Sequence, residues 1–203
     1  NTATPTNTPT PTNTPTPTPT PTNTATPTNT PTPTPTPRSI ITVAGNGAVG
    51  RSGDGGAATS AAVGAPFGVA TDSAGNYYIA QNGVNVVRKV NASGVITTVA
   101  GGGTGCPEQT NVVGDGCLAT SAILNWAVDV AIDPSGGLYI ADQVNQRVRR
   151  VDFATGRIST VAGTGAIEYS GDGGPATAAF LNYPSGLAVS ANGYLYIADQ
   201  GNS

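Results

Sequence analysis

Aspartate recurs in this chain inside one glycine-rich setting. Gly53-Asp54-Gly55-Gly56, Gly114-Asp115-Gly116-Cys117 and Gly171-Asp172-Gly173-Gly174 each hold one carboxylate between glycines. Carboxylates in Gly-rich loops raise the question of calcium, which takes about six to eight oxygen ligands, several of them carboxylates close together. Each loop supplies a single Asp without dense Asp-x-Asp spacing. The simpler reading is a carboxylate that caps a turn whose glycines take positive φ. Asp142 and Asp199 each end an apolar run, and the same reading has them bonding backbone amides of the next turn.

Catalysis is poorly provided for. The chain has no histidine, the commonest general base and metal ligand. No nucleophile has a base beside it in sequence, and the Gly-rich segments lack the lysine that follows a phosphate loop. The expectation is therefore a protein that is not an enzyme, with no catalytic residue, no cofactor and no metal. Cys106 and Cys117 are the only cysteines. A disulfide between them would close a small loop and stabilise it by roughly 2–3 kcal/mol, in an oxidising compartment. Two free thiols or half of a metal site are the alternatives, and zinc lacks further ligands. Asn91-Ala92-Ser93 is an N-glycosylation sequon.

The elements that carry these residues repeat. Ile41-Thr42-Val43-Ala44-Gly45, Thr97-Thr98-Val99-Ala100-Gly101 and Ser159-Thr160-Val161-Ala162-Gly163 form one series. Tyr77-Tyr78-Ile79-Ala80-Gln81, Leu138-Tyr139-Ile140-Ala141-Asp142 and Leu195-Tyr196-Ile197-Ala198-Asp199 form another, with the Asp-bearing loops between them. A period of about 55–62 residues lies in the range of propellers and repeat arrays. The middle unit reads as four short strands at 128–132, 137–141, 147–151 and 158–162, split by clusters such as Asp133-Pro134-Ser135-Gly136. The first is apolar, as for an inner strand covered on both faces. The third, with Arg147, Arg149 and Arg150, alternates as a half-exposed outer strand with a solvated basic face should. Repeated radially, such units are propeller blades. Asn91 then falls in an exposed turn between third and fourth strands. Phe67, Trp126 and Tyr183 precede or begin inner strands near the mouth. They form either a ring for sugar or peptide or, more commonly, core packing.

The order of Ser170-Gly171-Asp172-Gly173-Gly174-Pro175-Ala176-Thr177, the Leu-Tyr-Ile-Ala-Asp runs and Asn145-Gln146-Arg147-Val148-Arg149-Arg150-Val151 resembles the NHL-repeat family across residues 40–203. The resemblance implies blades of a usually six-bladed propeller that serves mostly as a binding scaffold. Some related propellers are metal-dependent lyases or lactonases, whose ligand cluster this sequence lacks. Gln81 departs from the Asp at 142 and 199, and the second unit has a longer loop at 102–111. The expected fold class is all-β: four-stranded antiparallel blades, about two and a half of them, with one further outer strand at 41–45. The remaining strands come from continuation of the same chain or from a neighbour, and continuation is the reading favoured.

The first 39 residues are of another kind. Every even position from 2 to 36 is threonine: Thr2, Thr4, Thr6, Thr8, Thr10, Thr12, Thr14, Thr16, Thr18, Thr20, Thr22, Thr24, Thr26, Thr28, Thr30, Thr32, Thr34 and Thr36. Proline fills most odd positions, and the absence of aromatic and large aliphatic side chains up to Pro37 excludes a packed core. An extended polyproline II tract at about 3.1 Å per residue would reach roughly 110 Å. At about 120° per residue its threonines face all sides, so O-glycans would sheathe it as in mucin-like stalks. A bare linker is the alternative. Domains are thus expected at 1–39, a stalk, and 40–203, a propeller segment.

Only 9% of residues are charged and the net charge is -3. There is no basic patch for nucleic acid and no apolar run near the ~20 residues of a membrane span. The sequence begins at Asn1, so a secretion signal is not testable from it. These features lead to an extracellular or cell-surface structural module of a filament or appendage. Its partners are covalent glycans and either further copies in a fibre or more of the same chain. The alternative is a tethered propeller that binds carbohydrate or peptide.

Overall fold

Short runs of Val, Ile, Ala and Tyr stopped by Gly, Asn or Asp pair as antiparallel strands. In the computed structural model, which describes residues 39–202, they do so with one repeated topology. β1 (Pro66–Thr71), β2 (Tyr77–Gln81), β3 (Val86–Val90) and β4 (Ile96–Gly101) make the first four-stranded blade in sequence order. β5 (Ala127–Ile132), β6 (Leu138–Asp142), β7 (Arg147–Asp152) and β8 (Arg157–Ala162) make the second. β9 (Pro184–Val189) and β10 (Leu195–Asp199) form a two-stranded sheet. The described residues hold no α-helix, only short 3-10 turns such as Ala58–Ser60, Ala119–Ser121 and Ala176–Ala178. The protein is all-β and built of antiparallel four-stranded blades. The polyproline II expectation and Thr2 to Thr36 lie outside the described residues.

Register is conserved between blades. Ile79 faces Arg88 and Ala80 faces Val87 in the first; Ile140 faces Arg149 and Ala141 faces Val148 in the second. The third and fourth strands of each blade slip at the same place, between Val87 and Arg88 and between Val148 and Arg149. Such a bulge re-aims the side chain beside it, and here that side chain is the arginine.

The main core lies between the two complete blades. Tyr78, Ala80, Val87 and Ala100 meet Leu124, Val130, Leu138 and Ile140 there. Glycines close the seams. Gly163 takes φ +89°, and a Cβ on it would overlap the Gln146 carbonyl and press on Leu181 of the next unit. Gly101 has the same role against Asn85 and Leu124.

Two expectations need correction. Residues 41–45 are not a strand, because among the described residues no strand lies beside them to form a ladder. Their end still sits as in the other repeats: Gly45 N–H bonds Ala58 O as Gly163 N–H bonds Ala176 O. The third strand of the middle unit does not alternate as expected, since Val148 and Arg149 are both buried between half-buried Arg147 and Arg150, and in the first blade Val86, Val87, Arg88 and Val90 are all buried. The inner strands are unequal: β5 is largely buried because it packs between β1 and β9, whereas β1 is largely exposed.

Candidate functional site

The recurring charged residues assemble inside the blades. Arg149 is 0% exposed. Its Nη2 stands 2.5 Å from Asp115 Oδ1 and its Nη1 donates to Asp142 Oδ2 at 3.1 Å. It also donates to Val113 O. Asp142 accepts in addition from the Asn125 backbone N–H at 2.7 Å and from the Asn145 amide. Burial pushes the Asp142 carboxyl up, against the pull of these donors and of Arg149. Asp115 is held below the usual carboxylate range: burial, which raises it, is outweighed by the Thr160 hydroxyl, the Arg149 guanidinium and Asn111.

The first blade repeats this with one change. Arg88 is equally buried and its Nη2 lies 2.5 Å from Asp54 Oδ1. The carboxylate is off the N–H direction, so that nitrogen makes an ion pair without a well-formed hydrogen bond. Gln81 replaces Asp142, accepts from Arg88 Nη1 at 3.4 Å and donates to Gly50 O and Gly64 O. Asp54 and Asp115 are thus counter-ions of buried arginines rather than simple turn caps, and Arg149 is not on a solvated face. Arg147 and Arg150 are half-buried, Arg150 forking onto Asp133 at 2.9 and 3.1 Å. Asp142 and Asp199 do bond backbone amides, but those of Asn125 and Asn182, before their strands rather than after.

At one end of the inner strands the chain turns through the left-handed region. Ala65, Trp126 and Tyr183 occupy the same place in successive units with φ of 44°, 59° and 53°. This costs a non-glycine residue about 1–2 kcal/mol. A cross-blade hydrogen bond offsets it: Trp126 N–H donates to Asn85 Oδ1 at 2.9 Å, and Tyr183 N–H to Gln146 Oε1 at 2.6 Å. Asn85 and Gln146 are themselves left-handed.

That end opens into a cavity of about 470 Å³ whose lining includes Phe67, Trp126, Asn82, Gln143, Gln200 and Asp129. Phe67 is 67% exposed and Trp126 51%, so these rings are not core. Tyr183 is exposed as well, outside that lining. Sequence reasoning passed over Asn82, Gln143 and Asp129. The available signals were a carboxamide directly after the second strand of every unit, and Asp129 where its counterparts are Gly68 and Gly186. Asp129 Oδ2 accepts from Leu187 N–H at 2.8 Å. Its side chain fits only because Gly68 has no Cβ, which would overlap Asp129 Oδ1.

Elsewhere, Cys106 and Cys117 are joined as a disulfide with Cα atoms 5.8 Å apart. Asn91 is exposed in the β3–β4 turn, its Oδ1 accepting from Ser93 and Val95 N–H. Among the described residues no three His, Cys, Asp or Glu side chains cluster as metal ligands. No helix there is long and apolar enough to cross a membrane.

A family model described as the teneurin NHL domain matches residues 84–152. Teneurin-1 of Mus musculus is 27% identical over 223 residues, covering 74% of this chain and 8% of that protein. The protein Suppressor of Quenching 1, described as chloroplastic, from Arabidopsis thaliana is 30% identical over 128 residues, covering 62% of this chain and 12% of that protein. A structural genomics protein of unknown function from Bacteroides thetaiotaomicron superposes with a TM-score of 0.52 at 25% identity, over 63% of this chain and 30% of that one. The chain spans about a tenth of the length of these curated relatives.

Proposed function

We propose, for a chain built of NHL-type propeller repeats, a non-catalytic scaffold role in an extracellular or cell-surface protein. One observation carries the reading. The charged residues that recur from unit to unit are engaged inside the blades, Arg149 by Asp115 and Asp142 and Arg88 by Asp54. In the two complete blades these groups hold the blade together, although Asp54 keeps part of its side chain in solvent. The teneurin matches favour a surface protein over an enzyme. The Cys106–Cys117 bond favours an oxidising compartment.

In the finer form of this proposal, residues 1–39 are an O-glycosylated spacer and residues 40–203 a separate propeller module of a filament or surface appendage. The composition supports it: a Thr-Pro tract without aromatic or large aliphatic side chains, joined to a repetitive segment in a chain with 9% charged residues. Mass spectrometry of Thr-Pro peptides from the native protein tests the spacer. Hexose or hexosamine additions on Thr2 to Thr36 are the expected result, and unmodified peptides throughout would refute it. The same digest, run without reductant, should yield the Cys106 and Cys117 peptides linked. Free thiols on both would remove the argument for secretion.

A further inference from the structure

We infer that the cavity at the mouth is a binding site for neutral carbohydrate, with the Trp126 indole as its stacking platform.

The fold itself does not require the indole. Ala65 holds the same left-handed backbone position in the preceding unit with no ring at all. Trp126 leaves half of its surface in solvent, so its hydrophobic area is only partly used in packing. Its backbone is nevertheless fixed by the bond to Asn85 at 2.9 Å, and Phe67 from the neighbouring inner strand lines the same cavity. Rigid, exposed aromatic faces on fixed backbone suit the apolar C–H face of a sugar ring, because little ordering entropy remains to be lost on binding.

The polar lining fits the same ligand. Gln143 is 9% exposed and lines the cavity. A ligand hydroxyl, which both donates and accepts, satisfies an amide in either orientation. Asn82 offers a second amide at the corresponding place in the first blade. The charge at the mouth selects among sugars. Asp129 contributes a carboxylate and, among the described residues, no Lys or Arg lines the cavity, so an anionic sugar is repelled and a neutral one admitted. The departure from glycine at this one inner strand, accommodated by Gly68, both bonds Leu187 N–H and places a carboxylate at the cavity.

Trp126 is the only tryptophan of the chain, which makes its fluorescence a reporter confined to the site. The test titrates the full chain with neutral gluco-, manno- and chito-oligosaccharides, with uronate oligosaccharides, and with a peptide library, reading emission and calorimetric heat. The expected result is a saturable emission change with at least one neutral series. Uronates should bind at least tenfold more weakly. Trp126→Ala should lower affinity at least tenfold with the melting temperature kept, as the Ala65 counterpart predicts, and Trp126→Tyr should retain part of the binding. Gln143→Leu should also weaken binding. Silence with all neutral series, preference for uronates, binding unchanged in Trp126→Ala, or saturable binding of peptides alone would each overturn the inference. None of these results bears on the glycan or disulfide tests of the scaffold role.

Discussion

Arg149 and Asp115 meet at 2.5 Å across 34 residues of sequence, the guanidinium arriving from a third strand and the carboxylate from a glycine-rich loop. The pairing explains why the two motifs travel together. A loop that must bring a carboxylate to a buried arginine has glycine on both sides: Gly114 takes φ +82°, where a Cβ would press on the Cα of Ala122, and Gly116 takes φ +87°. A strand that must send its arginine inward needs the bulge at Val148/Arg149. Neither motif is an isolated signature; each is half of one buried ion pair.

Truncation of that arginine should be among the most costly changes in the molecule. Arg149→Met leaves Asp142 buried without its counter-ion, a situation worth about 3–5 kcal/mol. Arg88→Met should cost less, about 1–3 kcal/mol. Its partner Asp54 has a side chain 45% exposed that water can solvate, and Gln81 carries no charge. Urea unfolding of both variants measures the difference. Equal losses would show that the second carboxylate contributes nothing.

Two glycines separate backbone strain from steric overlap. Gly173 takes φ +76° in open space, so Gly173→Ala should cost about 1 kcal/mol through the left-handed backbone alone. Gly163→Ala adds the overlap with the Gln146 carbonyl and the pressure on Leu181, and should exceed about 2 kcal/mol. Thermal melts of the two variants give the order, and a reversed order would mean the seam between units relaxes freely.

Acid should destabilise the blades in a direction set by Asp115 and Asp133. Asp133 resembles Asp115: burial, which raises it, is outweighed by Ser135, Gly137 N–H and Arg150. Both carboxyls are lower in the folded than in the unfolded chain. Their contribution is full above the unfolded value of about 3.9 and is lost as pH falls through the folded values. Asp142, raised by burial, acts in the opposite sense: its contribution is present below about 3.9 and declines as pH rises through its folded value. Denaturant midpoints between neutral pH and pH 2 should therefore fall toward acid. Asp115→Asn should flatten that fall while lowering stability at neutral pH. An unchanged acid slope in the variant would remove Asp115 from the account.

Much of the architecture was written in the order of residues. Strand periodicity, turn glycines and the repeat of Asp54, Asp115 and Asp172 are local or periodic properties, and they placed the strands of the middle blade within one residue of where they lie. What the sequence could not assign was the destination of a side chain. Arg149 reads as an alternating, solvated residue because alternation counts positions, whereas a single bulge turns its guanidinium into the blade. Residues 41–45 read as a strand because their composition is that of one, yet a strand exists only where a neighbour completes its hydrogen bonds. Trp126, Gln143 and Asp129 lie in adjoining segments but share a lining with Phe67 and Asn82, more than 40 residues earlier. That convergence is set by the packing of β5 between β1 and β9, a long-range contact that no local pattern encodes.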